Sequence, residues 1–219
     1  MSMLSPLMQD PASPRLTVYD EALGTRMEFS GQTLENWANK VANMLIEEFD
    51  VEPGSQVHID LPASWQSAAI ALGTYNARAL PLFDAPLSPP TVTFTTTERA
   101  SLWTEVPDVV VVSNDPFGRG VVESGGELPF GTVDFGPTVR FYGDQYYGES
   151  ADLSDFARAE FGPHRYLANP WTTREEFEYN VLAPLAAGGS VVVATGLIPA
   201  ERLDHITQVE KVTHFLTAD

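Results

Sequence analysis

A glycine-rich turn supplies the first side chains that could do chemistry. Gly143, Asp144, Gln145 and Gly148 follow the apolar run Val139–Tyr142, which predicts a β-strand. Because α/β sheets gather ligands at the carboxyl ends of their strands, this turn is a candidate binding loop. The alternative is an ordinary turn with surface aromatic side chains, and the residues leave both interpretations open.

A second turn combines an amide, an indole and a hydroxyl group. Asn169, Trp171 and Thr172 follow the predicted strand Tyr166–Ala168 and precede a predicted helix. In this position they form a candidate ligand pocket. The alternative is structural: Thr172 or Thr173 caps the helix and Trp171 packs in the core.

The sequence lacks the common motifs for catalysis and metal binding. It contains no Gly-x-Gly-x-x-Gly, no Gly-x-x-x-x-Gly-Lys and no Gly-x-Ser-x-Gly. Ser64, in a third strand-to-helix turn, is better placed to cap a helix than to act as a nucleophile. The chain has no cysteine, and its four histidines are scattered without metal-ligand spacing. We therefore expect no metal and no cofactor.

The charge of the chain limits its partners. Thirty Asp and Glu residues against twelve Lys and Arg residues leave a net charge of −18, and Lys40 and Lys211 are the only lysines. The composition, 43% hydrophobic and 19% charged, is that of a folded globule. A strongly negative field repels nucleic acid and anionic lipid, so we expect neither a nucleic-acid nor a membrane partner. The field also opposes ATP and coenzyme A unless arginines converge locally.

Strand and helix patterns alternate along the chain, as in parallel α/β sheets. Strands are predicted at Leu16–Tyr19, Met27–Phe29, Val57–Leu61, Arg78–Phe83, Thr91–Phe94, Val109–Val112, Val139–Tyr142, Tyr166–Ala168, Ser190–Ala194 and Val212–Leu216. Helices are predicted along the apolar stripe from Leu34 to Phe49 and at Ser64–Tyr75, Glu98–Thr104, Ala151–Phe161, Glu175–Ala187 and Ala200–Val209. The predicted fold class is α/β, with layered helices on a mostly parallel sheet.

The predicted organisation is simple. Residues 1–14, rich in Pro and Ser, form a loose N-terminal arm, and residues 15–219 form a single α/β domain. The glycine- and proline-rich loop 114–137 is a candidate lobe boundary. Residues 180–200 carry no charge, but prolines and glycines interrupt them, and the N-terminus lacks a signal-peptide pattern. A cytoplasmic protein is therefore expected.

Several segments of this chain occur in an order that points to a known family. They are LENWANKVANML (34–45), FDVEPGSQV (49–57), LPAS (61–64), RALPL (78–82), APLAAGGSVVV (183–193) and VTH (212–214). Across residues 15–219 they resemble the N-terminal part of the AMP-binding superfamily, the adenylate-forming acyl-CoA synthetases, luciferases and peptide-synthetase adenylation domains. The sequence around Trp37 and at residues 62–66 resembles that of a short family of unknown role that is distantly related to these enzymes.

The departures from that superfamily argue against catalysis. The resemblance implies a phosphate loop ending in Pro-Lys-Gly, but residues 142–150 are YGDQYYGES, with two acids and no lysine. Gly143, Asp144, Gln145 and Gly148 therefore mark a degenerate phosphate-loop position. Residues 168–172, ANPWT, align with the acyl-pocket motif but lack the histidine that many acyl-CoA synthetases carry. The adenine, magnesium and ribose motifs and the catalytic lysine would lie beyond residue 219, so no catalytic residue carries over.

The sequence therefore predicts a stand-alone, truncated and non-catalytic AMP-binding-enzyme-like protein. It would act in binding or protein interaction, through an edge that is open to a protein partner or to a second copy as a homo-oligomer. The alternative is a partial acyl-activating protein that keeps an acyl or aromatic pocket near Asn169 and Trp171. In that case another chain would supply the missing motifs for ligase chemistry.

Overall fold

The computed structural model describes residues 3–216 and divides them into two compact units. Unit 1 comprises residues 3, 35–62 and 66–151, and unit 2 comprises residues 4–34, 63–65 and 152–216. The loop 114–137, the candidate lobe boundary, lies wholly within unit 1. The single domain expected over residues 15–219 stays a prediction.

The secondary structure follows the alternating pattern of the sequence. The strands are β1 (Pro14–Asp20), β2 (Thr25–Ser30), β3 (Gln56–Asp60), β4 (Leu80–Leu82), β5 (Val92–Thr95), β6 (Asp108–Val111), β7 (Val133–Asp134), β8 (Arg165–Ala168), β9 (Ser190–Thr195) and β10 (His214–Phe215). The α-helices are α1 (Gly31–Phe49), α2 (Trp65–Asn76), α3 (Phe135–Phe141), α4 (Arg174–Phe177), α5 (Ala183–Ala186) and α6 (Ala200–Val209). The predicted α/β class with mostly parallel strands is confirmed.

Unit 2 is built on a mixed sheet with the strand order β10-β8-β9-β1-β2. Its strands are parallel except for the β1–β2 hairpin, whose edge strand β2 runs antiparallel to β1. The central strand β9 contributes Val191–Val193, all fully buried. An uninterrupted run of β-branched residues is expected where both faces of a strand are covered.

Unit 1 is built on a fully parallel sheet with the order β4-β3-β5-β6-β7. From β3 the chain continues to β4, at one edge of the sheet, whereas from β5 it continues to β6 and β7, toward the opposite edge. The direction in which successive strands are added therefore reverses between β3 and β5, which are neighbours in the sheet. The carboxyl ends of β3 and β5, at Asp60 and Thr95, meet at this reversal.

Helix α1 carries the apolar stripe that the sequence predicted. Leu34, Ala38, Val41, Leu45 and Phe49 are all buried. Its first turn is capped by Ser30, whose hydroxyl accepts a hydrogen bond from the Thr33 amide (3.2 Å). Trp37, which the sequence pattern also assigns to this stripe, is only half-buried.

The strand predicted at Val139–Tyr142 is wrong, because Val139 to Phe141 form the end of helix α3 and Tyr142 follows it. Phe135 and Val139, one helical turn apart, are both buried, and the Phe135 ring meets that of Phe94 edge-on with centroids 6.0 Å apart. Gly136 allows this helix to approach the preceding loop, since a Cβ atom there would lie 2.5 Å from the Gly120 nitrogen. Tertiary packing thus overrides the β-branched and aromatic composition.

Two other predicted segments also differ from the structure. The helix expected at Ala151–Phe161 is only a 3-10 turn, Leu153–Phe156, capped by the Asp152 side chain and followed by extended backbone at Ala157. The arm expected to be loose contains a 3-10 helix, Ser5–Gln9, and it buries Leu4 and Leu7. A few apolar side chains anchor this segment in spite of its Pro- and Ser-rich composition.

The helix predicted at Glu175–Ala187 is present but irregular. Between α4 and α5 the backbone forms a π-helical segment, Glu178–Leu182. Within residues 3–216, no helix is both long enough and apolar enough to cross a membrane.

Candidate functional site

The degenerate phosphate-loop position lies in unit 1, after a helix rather than after a strand. The expectation that Gly143, Asp144 and Gln145 follow a strand is therefore wrong, because α3 precedes them. Three side chains of α1 donate hydrogen bonds to backbone carbonyls of this loop: Lys40 to Tyr142 (2.7 Å), Asn39 to Asp144 (3.0 Å), and Asn43 to Gly143 (2.9 Å) and Gln145 (3.0 Å). The backbone carbonyl oxygens of the loop thus attach it to helix α1.

The charges of this loop are also unfavourable for an anion. Asp144 and Glu149 are exposed, and Glu149 pairs with Arg78. The Tyr142 hydroxyl donates to Glu48, and burial, followed by this carboxylate, raises the pKa of Tyr142 to about 12. A Cβ atom at Gly148 would lie 2.2 Å from the Tyr146 hydroxyl, so a larger residue there would have to displace that side chain. Phosphate sites need backbone N–H groups or cations that point at the ligand, whereas this loop exposes carboxylates.

The second candidate turn lies in unit 2, at the carboxyl end of β8. Trp171 is 2% exposed, and its ring meets that of Phe177 edge-on with centroids 5.1 Å apart. The Thr172 amide and hydroxyl both donate to the Glu176 carboxylate (2.6 and 2.9 Å). Thr173 forms a capping box with Glu176, so this turn fixes the start of α4. These hydrogen bonds, chiefly that of the Thr172 amide, lower the pKa of Glu176.

This turn also contains an unsatisfied polar group. The indole Nε1 of Trp171 is buried and has no hydrogen-bond partner. Nearby, the buried Asn180 side chain, within the π-helical segment, donates to the Asn169 carbonyl (3.0 Å). Isolated buried donors are rare in proteins, and π-helical segments are frequent at functional sites. Asn169 and Thr172 are exposed, so the three candidate residues share a turn but not one environment.

The sequence did not reveal a charged cluster in unit 2. The Glu210 carboxylate is 6% exposed and accepts hydrogen bonds from Tyr19 (2.5 Å), Arg26 (2.7 Å) and Arg165. Burial by itself would raise the pKa of Glu210, but the hydrogen bonds from these three side chains outweigh it and lower the pKa to about 2. No sequence signal could have found this cluster, since its members come from β1, β2, β8 and the residue after α6.

A second overlooked cluster lies in unit 1, at the reversal of strand order. Asp60 accepts hydrogen bonds from Nε and Nη2 of Arg99 (2.9 and 2.7 Å), from the Trp103 indole (2.7 Å) and from the Thr95 hydroxyl (2.9 Å). Burial opposes ionisation of Asp60, but the hydrogen bonds, led by that of Arg99, keep its pKa below the usual value. Burial lowers the pKa of the neighbouring His58. These donors already saturate the carboxylate, which makes the cluster a structural clamp.

Neither overlooked cluster has the composition of a metal site. Among the side chains that the structure describes, no group of three His, Asp or Glu residues could hold a metal ion.

Comparison with known proteins gives a relative of similar length. No protein-family model matches the sequence. A TIGR03089 family protein of Mycobacterium tuberculosis (strain ATCC 25618 / H37Rv) is 35% identical over 241 aligned residues, which cover 98% of this chain and 96% of the relative.

Solved structures share the fold over nearly the whole chain. The acyl-CoA synthetase of Brucella canis superposes with a TM-score of 0.76 at 16% identity, covering 97% of this chain and 46% of that enzyme. The anthranilate CoA ligase AuaEII, in complex with anthranoyl-AMP, gives 0.72 at 14% identity and 98% and 49% coverage. The acetoacetyl-CoA synthetase of Streptomyces lividans gives 0.71 at 16% identity and 97% and 41% coverage. The chain therefore has the fold of part of an adenylate-forming enzyme and spans less than half of each solved enzyme.

Proposed function

Because this chain belongs to the TIGR03089 family and has an adenylate-forming fold, we propose that it is a non-catalytic protein of that fold. It acts by binding another protein rather than by activating a carboxylic acid. We also propose the cytoplasm as its location. The proposal rests mainly on one observation, the loop at residues 142–150.

This loop is poorly suited to bind a triphosphate. Lys40, one of two lysines in the chain, donates to the Tyr142 carbonyl oxygen rather than pointing at a ligand of the loop. The exposed carboxylates of Asp144 and Glu149 would repel a polyphosphate.

Calorimetric titration with ATP and Mg²⁺ tests this proposal. We expect a Kd weaker than about 100 μM, equivalent to roughly −5.5 kcal/mol. Inorganic triphosphate with Mg²⁺ serves as the control for non-specific anion binding. Saturable binding of ATP below that Kd, with no comparable binding of triphosphate, would refute the non-catalytic proposal.

A second candidate function is supported by the unsatisfied indole N–H of Trp171. A carboxylate or acyl oxygen at the carboxyl end of β8 would provide the missing acceptor. One structural neighbour was solved with anthranoyl-AMP, an aromatic acyl adenylate. The chain would then keep an aromatic-acid pocket and need another chain for catalysis.

The same calorimetric experiment, extended to benzoate and octanoate, separates the two candidates. Trp171→Phe removes the N–H donor but keeps an aromatic ring, and Trp37→Phe is the matched control. For the non-catalytic protein we expect no saturable binding by any variant. Benzoate binding that Trp171→Phe abolishes and Trp37→Phe retains, with both variants folded, would establish the second candidate instead.

A further inference from the structure

The two faces of the unit 1 sheet are covered unequally at its β4 edge. Residues that pair in a parallel ladder point to the same face, so Val57 and Pro81 share one face while His58 and Leu82 share the other. Val57 and Pro81 are buried. On the second face Leu82 is half-buried, and Leu80, two residues earlier, is 40% exposed. We call this second face at β4 the open face.

Farther along the sheet the same face is closed. Thr93 and Val109, which continue the row from His58, are buried. Ala100 and Trp103 of the 3-10 helix Ala100–Trp103 pack in one apolar cluster with Val109, and the Trp103 ring meets the His58 ring with centroids 4.4 Å apart. The 3-10 helix in the β5–β6 connection therefore covers this face of the sheet as far as β3 but does not cover β4.

The connection between β4 and β5 explains the exposure. Parallel strands are normally joined by a crossover of a dozen or more residues, usually a helix that covers one face of the sheet. Here residues 83–91 make the crossover without a helix. Leu87 within this connection and Leu102 in the adjacent 3-10 helix are both exposed, the latter by 63%. Within residues 3–216, no helix joins β4 to β5, so the sheet has no helical layer from this connection.

We propose that the open face is the docking site for an amphipathic helix of a partner protein. The helix has an apolar stripe that packs on Leu80, Leu82 and the exposed Leu102, and a polar flank rich in Lys and Arg. This inference specifies the partner chemistry of the proposed interaction function and rests on that function. In this arrangement the partner helix lies where a crossover helix between β4 and β5 would otherwise cover the sheet.

The charge around the open face selects a basic partner. Asp84 in the β4–β5 connection and Glu98 and Glu105, on either side of the 3-10 helix, are exposed. The exposed cations beside these segments, Arg99 and Arg78, are already paired with Asp60 and Glu149, respectively. The whole chain carries −18, so a second copy would be repelled and a basic helix attracted.

The edge of the sheet is a poor site for an added strand. Pro81, in the middle of the three-residue strand β4, lacks the backbone donor that strand addition needs. A helix on the open face, with apolar residues at i, i+3, i+4 and i+7, matches the exposed surface better.

The absence of cysteine from the chain allows a site-specific test. Leu80→Cys is labelled with bimane, and Leu197→Cys, in unit 2 and 98% exposed, is the control. The probe is a synthetic Leu/Lys peptide with leucines at i, i+3, i+4 and i+7, compared with a Leu/Glu peptide of the same pattern. We expect a saturable blue shift at position 80 with the Leu/Lys peptide and no shift at position 197 or with the Leu/Glu peptide.

Affinity measurements on unlabelled protein identify the surface. Leu80→Gln with Leu102→Gln should weaken peptide binding at least tenfold, about 1.4 kcal/mol. Leu197→Gln with Val209→Gln, at exposed positions of unit 2, should leave binding unchanged. Circular dichroism confirms that both pairs fold. Equal binding by both pairs, or no binding by the wild type, would overturn the proposal.

Sedimentation equilibrium checks the second-copy alternative. A wild-type dimer that Leu80→Gln dissociates would assign the open face to self-association and refute the basic-helix proposal. Tight ATP binding would refute the proposed non-catalytic function but would leave the peptide result standing, so the two failures are distinguishable.

Discussion

At the residue scale, Glu210 is a buried carboxylate whose charge contributes to folding. It follows α6 and binds Arg26 on β2 and Arg165 at the start of β8. Truncating one partner of such a buried cluster leaves the other charges unpaired, which is strongly destabilising. The carboxylate therefore ties the end of α6 to the sheet of unit 2.

We predict that Glu210 contributes a pH-dependent part of the stability. Its pKa is about 2 in the folded protein and 4.5 in the absence of shifts, so its contribution is complete above the unfolded pKa and disappears as the pH falls toward 2. The difference corresponds to about 3 kcal/mol. Urea unfolding at several pH values should show that Glu210→Gln is less stable than the wild type at pH 7 but loses less stability on acidification.

The control for this prediction is an exposed carboxylate on the same helix. Glu201→Gln in α6 should follow the wild-type pH dependence. If Glu210→Gln and the wild type lose the same free energy of unfolding between pH 7 and pH 3, the cluster does not stabilise the fold as described.

Residue-level prediction of the candidate site succeeded where the signal was local. Thr173 and Glu176 are three positions apart, and capping at Thr172 or Thr173 was one of the alternatives that the sequence offered. The Trp171 indole could be placed after a strand but not assigned a partner, because its surroundings come from distant segments. The Glu210 cluster joins residues up to 191 positions apart, which no local pattern encodes.

At the element scale, strong periodicity or uninterrupted apolar character made the prediction reliable. Helix α6 has the predicted bounds, and β9 extends the predicted strand by one residue. The segment 139–142 failed because a short apolar run fits either a strand or a buried helix. That error placed the candidate phosphate loop after a strand, and the position of the loop relative to the sheet was wrong as a consequence.

The contact between α1 and α2 depends on a single glycine in α2. A Cβ atom at Gly73 would lie 2.4 Å from the Val41 Cβ atom, so the two helices approach more closely than any larger side chain permits. We predict that Gly73→Ala destabilises the protein by about 1–3 kcal/mol, as overpacking does. In an unconstrained helix interior the same change would stabilise by about 1 kcal/mol.

A double-mutant cycle in urea isolates this contact. Val41→Ala alone should be destabilising because it removes buried methyl groups. The pair Gly73→Ala with Val41→Ala should be more stable than the sum of the single changes implies, because the clash is relieved. Strict additivity would show that the helices move apart without strain and that Gly73 is not required for their approach.

At the scale of the whole molecule, the net charge acts against the compact packing of the fold. The chain keeps the layered α/β architecture of much larger enzymes while spanning 41–49% of their lengths. Its net charge of −18 opposes compactness through self-repulsion. The net charge follows directly from the amino-acid composition. The open face could not be predicted from the sequence, because it depends on the strand order and on the helix-free connection at residues 83–91.

Salt should therefore stabilise this protein. Raising NaCl from about 0.01 M to 0.15 M shortens the Debye length from about 30 Å to about 8 Å, which screens long-range repulsion between exposed carboxylates. We predict that the urea midpoint rises over this range at pH 7.

Because buried pairs are screened less, the stability difference between the wild type and Glu210→Gln should change little. Sodium chloride is preferred to sulfate, since sulfate also strengthens apolar burial. A midpoint that falls with salt would mean that exposed ion pairs such as Arg78–Glu149 outweigh the net repulsion.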